Sequence, residues 1–367
     1  MGLRFLIMNF FSPTHQSSRN NMQANSIWNL LNDLSKKAGI TEIAINGPKN
    51  IFVEKGGHFI QLNANIPRED IDGFVKDVAE LNNKMCDKDH PILDGNLPDG
   101  SRINIIMEPF VQGSPAISIR KYLKFNASFD SNPTLFGLQP KWIELFKAMV
   151  GSRCNIVVSG GTGVGKTTLL NLLLAEISKA ERVITIEDTL ELTIALPNVV
   201  RLESGAKSRY TSASLSTRDL VKNTLRMRPD RIIIGETRGG ELFDLLQAMN
   251  TGHEGSMTSI HSNSGGECLS RMETLFLMAG FDIPMVVVRK QISSAIDFII
   301  QVGRNNEGNR VITEVIELCG MEGASILTQP ILQRDDEGHL TFSGFAPKSM
   351  DKLHRNGGLA LNFFNKV

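Results

Sequence analysis

One stretch limits the fold of this chain more than any other: SGGTGVGKTT, from Ser159 to Thr168. It places Gly160, then four residues, then the run Gly165-Lys166-Thr167, follows the apolar segment NIVVS and leads into the apolar segment TTLLNLLLAEI. A glycine-rich turn between a buried strand and a helix lets backbone N–H groups converge on an anion, and the helix start adds the positive end of its dipole. The expected phosphate cradle is Gly160, Gly161, Thr162, Gly163, Val164, Gly165, Lys166, Thr167 and Thr168. Lys166 would bring a point charge to the β/γ-phosphates, and the Thr167 hydroxyl would ligate Mg²⁺. An unrelated glycine-rich turn would not need the strand, the spacing, the Lys-Thr pair and the helix together. The chain is expected to bind a nucleoside triphosphate, with ATP and Mg²⁺ as ligands.

Such a loop needs a largely parallel α/β sheet behind it. CNIVVSG, RVITIED, DRIIIGE and GSMTSIH are short apolar runs separated by helical segments, as strands buried on both faces read. AIDFIIQVGRNNEGNRVITEVIEL reads as a hairpin and HLTFSGF as one more strand. The first third differs. ITEIAIN, NIFVEKGG, HFIQL, SRINIIME and AISIRKY alternate like half-buried strands. SIWNLLNDLSKKAG puts Ile27, Leu30, Leu31 and Leu34 on one helical face, with Gly39 as its cap, and REDIDGFVKDVAELNNKM is a second amphipathic helix. KFNASFDSNPTLFGLQPKW lacks periodicity and reads as a linker. The expected organisation is a tail over residues 1–24, a small α+β domain over 25–123, a linker over 124–140, and a P-loop α/β domain over 141–367.

Charge and cysteine content narrow the function classes. The 39 basic and 39 acidic side chains cancel, so no global field draws the chain to nucleic acid. Cys86, Cys154, Cys268 and Cys319 are scattered without a C-x-x-C pair, which fits a reducing, cytosolic setting rather than a disulfide or zinc scaffold. The opening MGLRFLIMNFFSPTHQSSRNN has its apolar run broken by Asn9 and no small-residue cleavage site, so it reads as a tail or docking segment rather than a signal peptide. No segment approaches a membrane span in length.

Acids stand where such a sheet would use them. Glu187 and Asp188 end one apolar run, with Glu191 close by, and Glu236 follows another past a glycine. Ligands in open α/β sheets sit outside the carboxyl ends of the strands, where an acid can hold the Mg²⁺ shell through water or polarise an attacking water. Glu236 has the strongest claim and Glu191 the weakest. Arg218, Lys222 and Arg226 are spaced for one helical face behind a Ser216 or Thr217 cap. By composition alone these, with Arg201, Arg102 and Arg120, read as solvated cations. TGHEGSMTSIHSNS begins like a zinc-protease helix, but His261 comes eight residues after His253. Gly252 suits the end of the preceding helix, so the gap reads as a loop and a strand rather than two helical turns.

Together these motifs resemble one family. SGGTGVGKTTLLN, TIEDTLEL, RDLVKNTLRMRPDRIIIGETRGGE, LLQAMNTGHEGSMTSIHSNS and LSRMETLFLMAG are similar to the Walker A, Asp box, Walker B and His box regions of the ATPases of type II secretion, type IV secretion and type IV pili. ITEIAINGPKNIFVEKGG, LPDGSRINI, SPAISIRKY and FIIQVGR resemble the CpaF-like branch, which serves Tad (Flp) pilus assembly, and coverage runs from about Ile27 to Gly357. The resemblance implies a RecA-like P-loop ATPase domain behind a smaller α+β N-terminal domain. It also implies a hexameric ring at the cytoplasmic face of the inner membrane, and motions passed to an inner-membrane platform protein. It implies Lys166 and Thr167 on phosphate and Mg²⁺, Glu236 on the Mg²⁺-bound or attacking water, and Glu187 as the Asp-box acid. His253 and His261 would serve the γ-phosphate region, Arg102 and Arg120 would close on the triphosphate, and Arg201 and Arg218 would lie near the subunit boundary. Two departures stand out. The chain reaches its first domain almost directly at Ile27, where many CpaF-like proteins carry a longer helical extension. The cysteine zinc module of many type II secretion ATPases has no counterpart. The competing reading, a RecA-like nucleic-acid motor, lacks a basic-aromatic stripe, so no nucleic-acid partner is expected.

Overall fold

The computed structural model describes residues 26–37, 39–56, 58–121, 128–205 and 214–366. The tail expected over residues 1–24 lies outside the described residues. The described chain forms two compact units, divided after Lys124.

The first unit runs α1 (Ser26–Ser35), β1 (Ile40–Ile45), β2 (Ile51–Lys55), β3 (His58–Gln61), α2 (Arg68–Leu81), β4 (Ile92–Asn96), β5 (Arg102–Ile106) and β6 (Ala116–Arg120). The strands make an antiparallel sheet in the order β3-β2-β1-β6-β5-β4. Alternation drives it: Ile43, Ile45, Ile103, Ile105, Ile117 and Ile119 point to one core with Phe74 and Val78 of α2. Helix α1 adds Ile27, Leu31 and Leu34 and stops at Ser35, before the expected glycine cap. Strand β4 escapes a sequence reading because ILDGN looks like a turn. Gly95 is tolerated there because the Asn82 side chain occupies the space of a Cβ, with Asn82 bonded both ways to the Asn96 backbone.

The second unit contains α3 (Pro140–Gly151), β7 (Ile156–Gly160), α4 (Lys166–Leu174), β8 (Val183–Glu187), β9 (Val199–Glu203), α5 (Thr217–Thr224), β10 (Arg231–Ile234), α6 (Glu241–Asn250) and β11 (Met257–Ile260). It continues with α7 (Gly265–Leu277), α8 (Met285–Ala295), β12 (Phe298–Arg304), β13 (Arg310–Glu322), β14 (Ser325–Arg334), β15 (Leu340–Phe342) and α9 (Met350–Gly357). Nine strands order as β15-β14-β13-β12-β7-β11-β10-β8-β9. Those from β12 to β9 are parallel, and β13 to β15 extend the sheet antiparallel. The parallel strands are buried on both faces. In β7, Ile156 and Val158 enter one core and Val157 the other; each such side chain contributes about 1.5–3 kcal/mol on burial.

The expected linker is corrected in part. Residues 122–127 lie outside the described residues, but from 128 onward the segment packs into the second unit. Phe129 and Phe136 are fully buried, and the Phe129 ring stacks on Phe146 at 6.1 Å. Aperiodic chain can bury side chains one at a time, which no periodicity announces. The expected fold class holds: a P-loop α/β unit with a smaller α+β unit before it.

Candidate active site

The glycine-rich loop leaves the carboxyl end of β7 and enters α4 at Lys166. Its glycines have separate reasons. A Cβ on Gly160 would meet the Val302 carbonyl and Val164, whereas Gly163 and Gly165 take φ of +71° and +101°, where L side chains are strained. The loop therefore presents backbone rather than side chains at the start of a helix, a cradle suited to phosphate oxygens.

Lys166, only 8% exposed, folds its amine into this turn. Nζ donates to the carbonyls of Gly160 (3.0 Å) and Gly161 (2.8 Å) and lies 3.2 Å from Nδ1 of His261. Burial lowers its pKa, partly countered by Glu236. Strand β11 delivers His261 here, one residue past its end. Nε2 of His261 lies 2.7 Å from Oε1 of Glu236, which follows β10 past Gly235. Burial also lowers the His261 pKa, outweighing the pull of Glu236. The ring lies between the amine and the carboxylate, but its contact with Glu236 falls outside hydrogen-bond geometry, since Oε1 of Glu236 is buried without a hydrogen-bond partner. Three adjacent parallel strands thus supply a continuous chain, Lys166–His261–Glu236, across the mouth of the loop.

Behind it stands a second layer. Glu187, buried at the end of β8, accepts the backbone N–H groups of Glu191 and Leu192 through one oxygen, each at 2.8 Å. Burial raises its pKa, and those hydrogen bonds oppose the rise. Arg201 on β9 donates to the Leu192 carbonyl at 2.7 Å and lies 3.8 Å from the other Glu187 oxygen. Glu187 and Arg201 together brace the 187–192 loop. The acid this loop turns toward Thr167 is Glu191, whose Oε2 accepts from Oγ1 of Thr167 at 3.5 Å. The sequence ranks Glu191 last because nothing local shows how the loop folds back.

Arg238 has no place in the sequence-based set. It bonds Oε2 of Glu236 at 2.8 Å and Oδ2 of Asp188 at 3.2 Å. A signal was present in GETR: an arginine two residues past the acid, outside any helix, falls on the same side of extended chain.

Other candidates lie elsewhere. His253 sits before β11, at the amino edge of the sheet, with Nδ1 3.3 Å from the Ala248 carbonyl. Strand β11 separates it from His261 by roughly 13 Å of extended chain. Within one chain the two histidines therefore stand at opposite edges of the sheet. Helix α6 ends at Asn250 and Gly252 takes φ +101°, so the gap is a loop and a strand. Arg218 is committed to Asp244 at 2.7 Å, to the Ala279 carbonyl at 3.0 Å and to the face of Phe281. Arg102 and Arg120 belong to the first unit, as register partners on β5 and β6, with Arg120 paired to Glu42 at 2.9 Å.

The site and fold agree with what the chain is similar to. The family model for type II/IV secretion system proteins matches residues 26–319. The conjugal transfer protein TrbB of Rhizobium radiobacter is 34% identical over 307 residues, spanning 83% of this chain and 91% of its own. The type IV secretion system protein VirB11 of Bartonella quintana is 31% identical over 318 residues, spanning 76% and 88%. Among solved structures, the ATPase DotB of Legionella pneumophila matches with a TM-score of 0.55 at 20% identity, over 82% of this chain and 80% of that one; this likeness shows the fold. The chain carries the RecA-like P-loop architecture of a secretion ATPase. It belongs to the type II/IV secretion system protein family. Among the described residues no helix is long and apolar enough to cross a membrane.

Proposed function

We propose that this chain hydrolyses ATP with Mg²⁺ and works as a ring, a hexamer, peripheral to the cytoplasmic face of the inner membrane. Motions of its two domains, 25–123 and 141–367, would pass to an inner-membrane platform protein to drive assembly or retraction of a Tad/Flp-like type IV pilus, or related protein secretion. The observation that carries the hydrolase reading is the chain Lys166–His261–Glu236 at the mouth of a glycine loop whose crowding and φ angles exclude larger residues.

Lys166 exchanges the carbonyls it now caps for phosphate oxygens, and residues 160–168 present their N–H groups to the same anion. Mg²⁺ bound with ATP supplies charge neutralisation at the β- and γ-phosphates; the Thr167 hydroxyl would hold it, and Glu236 would meet it through water. Glu236 orients the attacking water and takes its proton, while His261 ties its carboxylate to Lys166 and so to the γ-phosphate position. Glu187 and Arg201 act by shaping the loop that carries Glu191. Arg102, Arg120, Arg218 and His253 enter this proposal from the family resemblance alone. The secretion or pilus assignment rests on family membership, the Tad assignment on the CpaF-like N-terminal motifs.

Glu236→Gln keeps the shape and removes the base. Phosphate release should fall by about 10²-fold or more, with binding of a fluorescent ATP analogue retained. Wild-type turnover in that variant would overturn the role of Glu236 as base, and a wild-type chain without turnover would overturn the hydrolase assignment. A strictly monomeric mass with Mg²⁺ and a non-hydrolysable analogue would overturn the ring. Stimulation by single-stranded DNA at low salt would favour the nucleic-acid motor instead.

A further inference from the structure

Glu236 is gripped from two sides, by His261 on Oε1 and Arg238 on Oε2. We propose that Arg238 is a positioning residue for the reaction, fixing the Glu236 carboxylate and fastening it through Asp188 to the start of α5. This rests on the hydrolase reading above.

The arginine is itself held. Its backbone N–H and that of Gly239 both donate to Oε1 of Glu241, in the first turn of α6, at 2.7 and 2.8 Å. From that anchored backbone the guanidinium spans two carboxylates with two different nitrogens, Nη2 to Glu236 and Nη1 to Asp188. Only a planar fork makes that span without rearranging; an ammonium offers a single point. Glu236, Asp188 and Glu191 all act on it, the hydrogen bond to Glu236 most strongly, and raise its pKa.

The network continues past Asp188. Its Oδ1 accepts from the hydroxyls of Ser204 at 2.8 Å and Thr217 at 3.3 Å, and those hydroxyls meet at 3.0 Å. Gly205 N–H donates to the Leu215 carbonyl at 2.8 Å, drawing the end of β9 to the residues before α5. Ser216 caps that helix in a reciprocal box with Asp219. Four separate segments are therefore linked through the Arg238–Asp188 pair: the β10 loop by Arg238, and the end of β9 and the start of α5 by Asp188 of the β8 loop. An ordinary surface ion pair needs no such convergence and contributes little.

The full chain tests this with Arg238→Gln, Arg238→Lys, Asp188→Asn and the double variant Arg238→Gln/Asp188→Asn. The readouts are steady-state ATP hydrolysis with Mg²⁺ and binding of a fluorescent ATP analogue. If Arg238 acts by aiming Glu236, Arg238→Gln lowers kcat by about 10- to 100-fold, as loss of supporting contacts does elsewhere. KM and analogue Kd then stay within about threefold. Arg238→Lys should recover part of kcat, since charge returns without the fork. Asp188→Asn should cost less, and the double variant should be no worse than Arg238→Gln. Unchanged kcat in Arg238→Gln overturns the proposal, and so does a double variant whose losses multiply. If Arg238→Gln fails to fold, the proposal stands or falls on Arg238→Lys: wild-type kcat there overturns it. Wild-type chain that fails to hydrolyse ATP overturns the hydrolase reading itself, and a fully active Glu236→Gln variant overturns the role of Glu236 in it. A fully active Arg238→Gln beside an inactive Glu236→Gln overturns only the role of Arg238.

Discussion

The two edges of the parallel sheet handle polar groups in opposite ways. At the amino edge, Arg231 is 1% exposed and bonds Glu181 through Nε and Nη2, at 2.7 and 2.9 Å, while also donating to the Val150 carbonyl. Nearby, Asn155 accepts from Gly255 and Ser256 and donates to Ala295, so both ends of its amide are engaged. At the carboxyl edge, Lys166, His261, Glu236 and Arg238 form a chain in which the side chains of His261 and Arg238 stay open to solvent. Its amine rests on loop carbonyls that phosphate oxygens can replace. A closed set of partners confers stability; an open one can exchange partners, which is what binding and catalysis need.

The largest expected effects separate the edges. Lys166→Ala should lower ATP turnover by about 10³-fold, the scale of losing a charge-stabilising donor in a closed site. Its Tm should stay within a few degrees of wild type, about what a change of under 1 kcal/mol gives. Arg231→Leu should do the reverse. It leaves Glu181 with only the longer contact to Arg153, at 3.7 Å, and costs about 3 kcal/mol, read by denaturant titration, while analogue affinity at low temperature is kept. A destabilised Lys166→Ala, or a stable but inactive Arg231→Leu, would break the division.

His261 sharpens the comparison through pH. Its pKa lies below the ordinary histidine value, so the folded form holds its proton less tightly than the unfolded one. The associated stability is present above the unfolded pKa of about 6.5 and is lost as pH falls through the folded pKa. Turnover that depends on the neutral ring should persist as pH is lowered through 6.5 and decline only below it. His261→Asn should cost about 10²-fold in kcat. An NMR titration of His261 with a midpoint above the ordinary value would contradict the neutral ring.

Much of this was legible because it is local. The phosphate loop declares itself through strand, spacing and helix within twenty residues or so, and Glu236 through its place just past an apolar run. What escaped depends on distant partners. Phe129 and Phe136 look like linker residues until Phe146 and the sheet pack against them. Glu191 reaches Thr167 only because Glu187 and Arg201 turn its loop back. Arg238 gains its place only when the β8 and β10 loops meet. Strand β14 was missed because its polar residues and Pro330 mask a strand whose register is set by β13.

The smallest expected effect is at His253, where the resemblance and the geometry pull apart. Its backbone N–H donates to the Ala248 carbonyl and its own carbonyl accepts from Ser256. Both bonds use only main-chain atoms of His253 and survive its substitution; the ring adds one contact, to the same Ala248 carbonyl. His253→Asn should therefore cost at most about 1 kcal/mol of stability, the worth of a single hydrogen bond. It should leave turnover of the isolated chain within about twofold, since the ring touches nothing at the loop. His253→Asn and His261→Asn differ in one coordinate only, the end of β11 on which the residue stands. If the two variants lost turnover equally at protein concentrations too low for assembly, edge position would not be what separates them. If His253→Asn lost turnover only once rings formed, its partner would lie on a second copy of the chain, and the amino edge would gain a role that the single chain does not display.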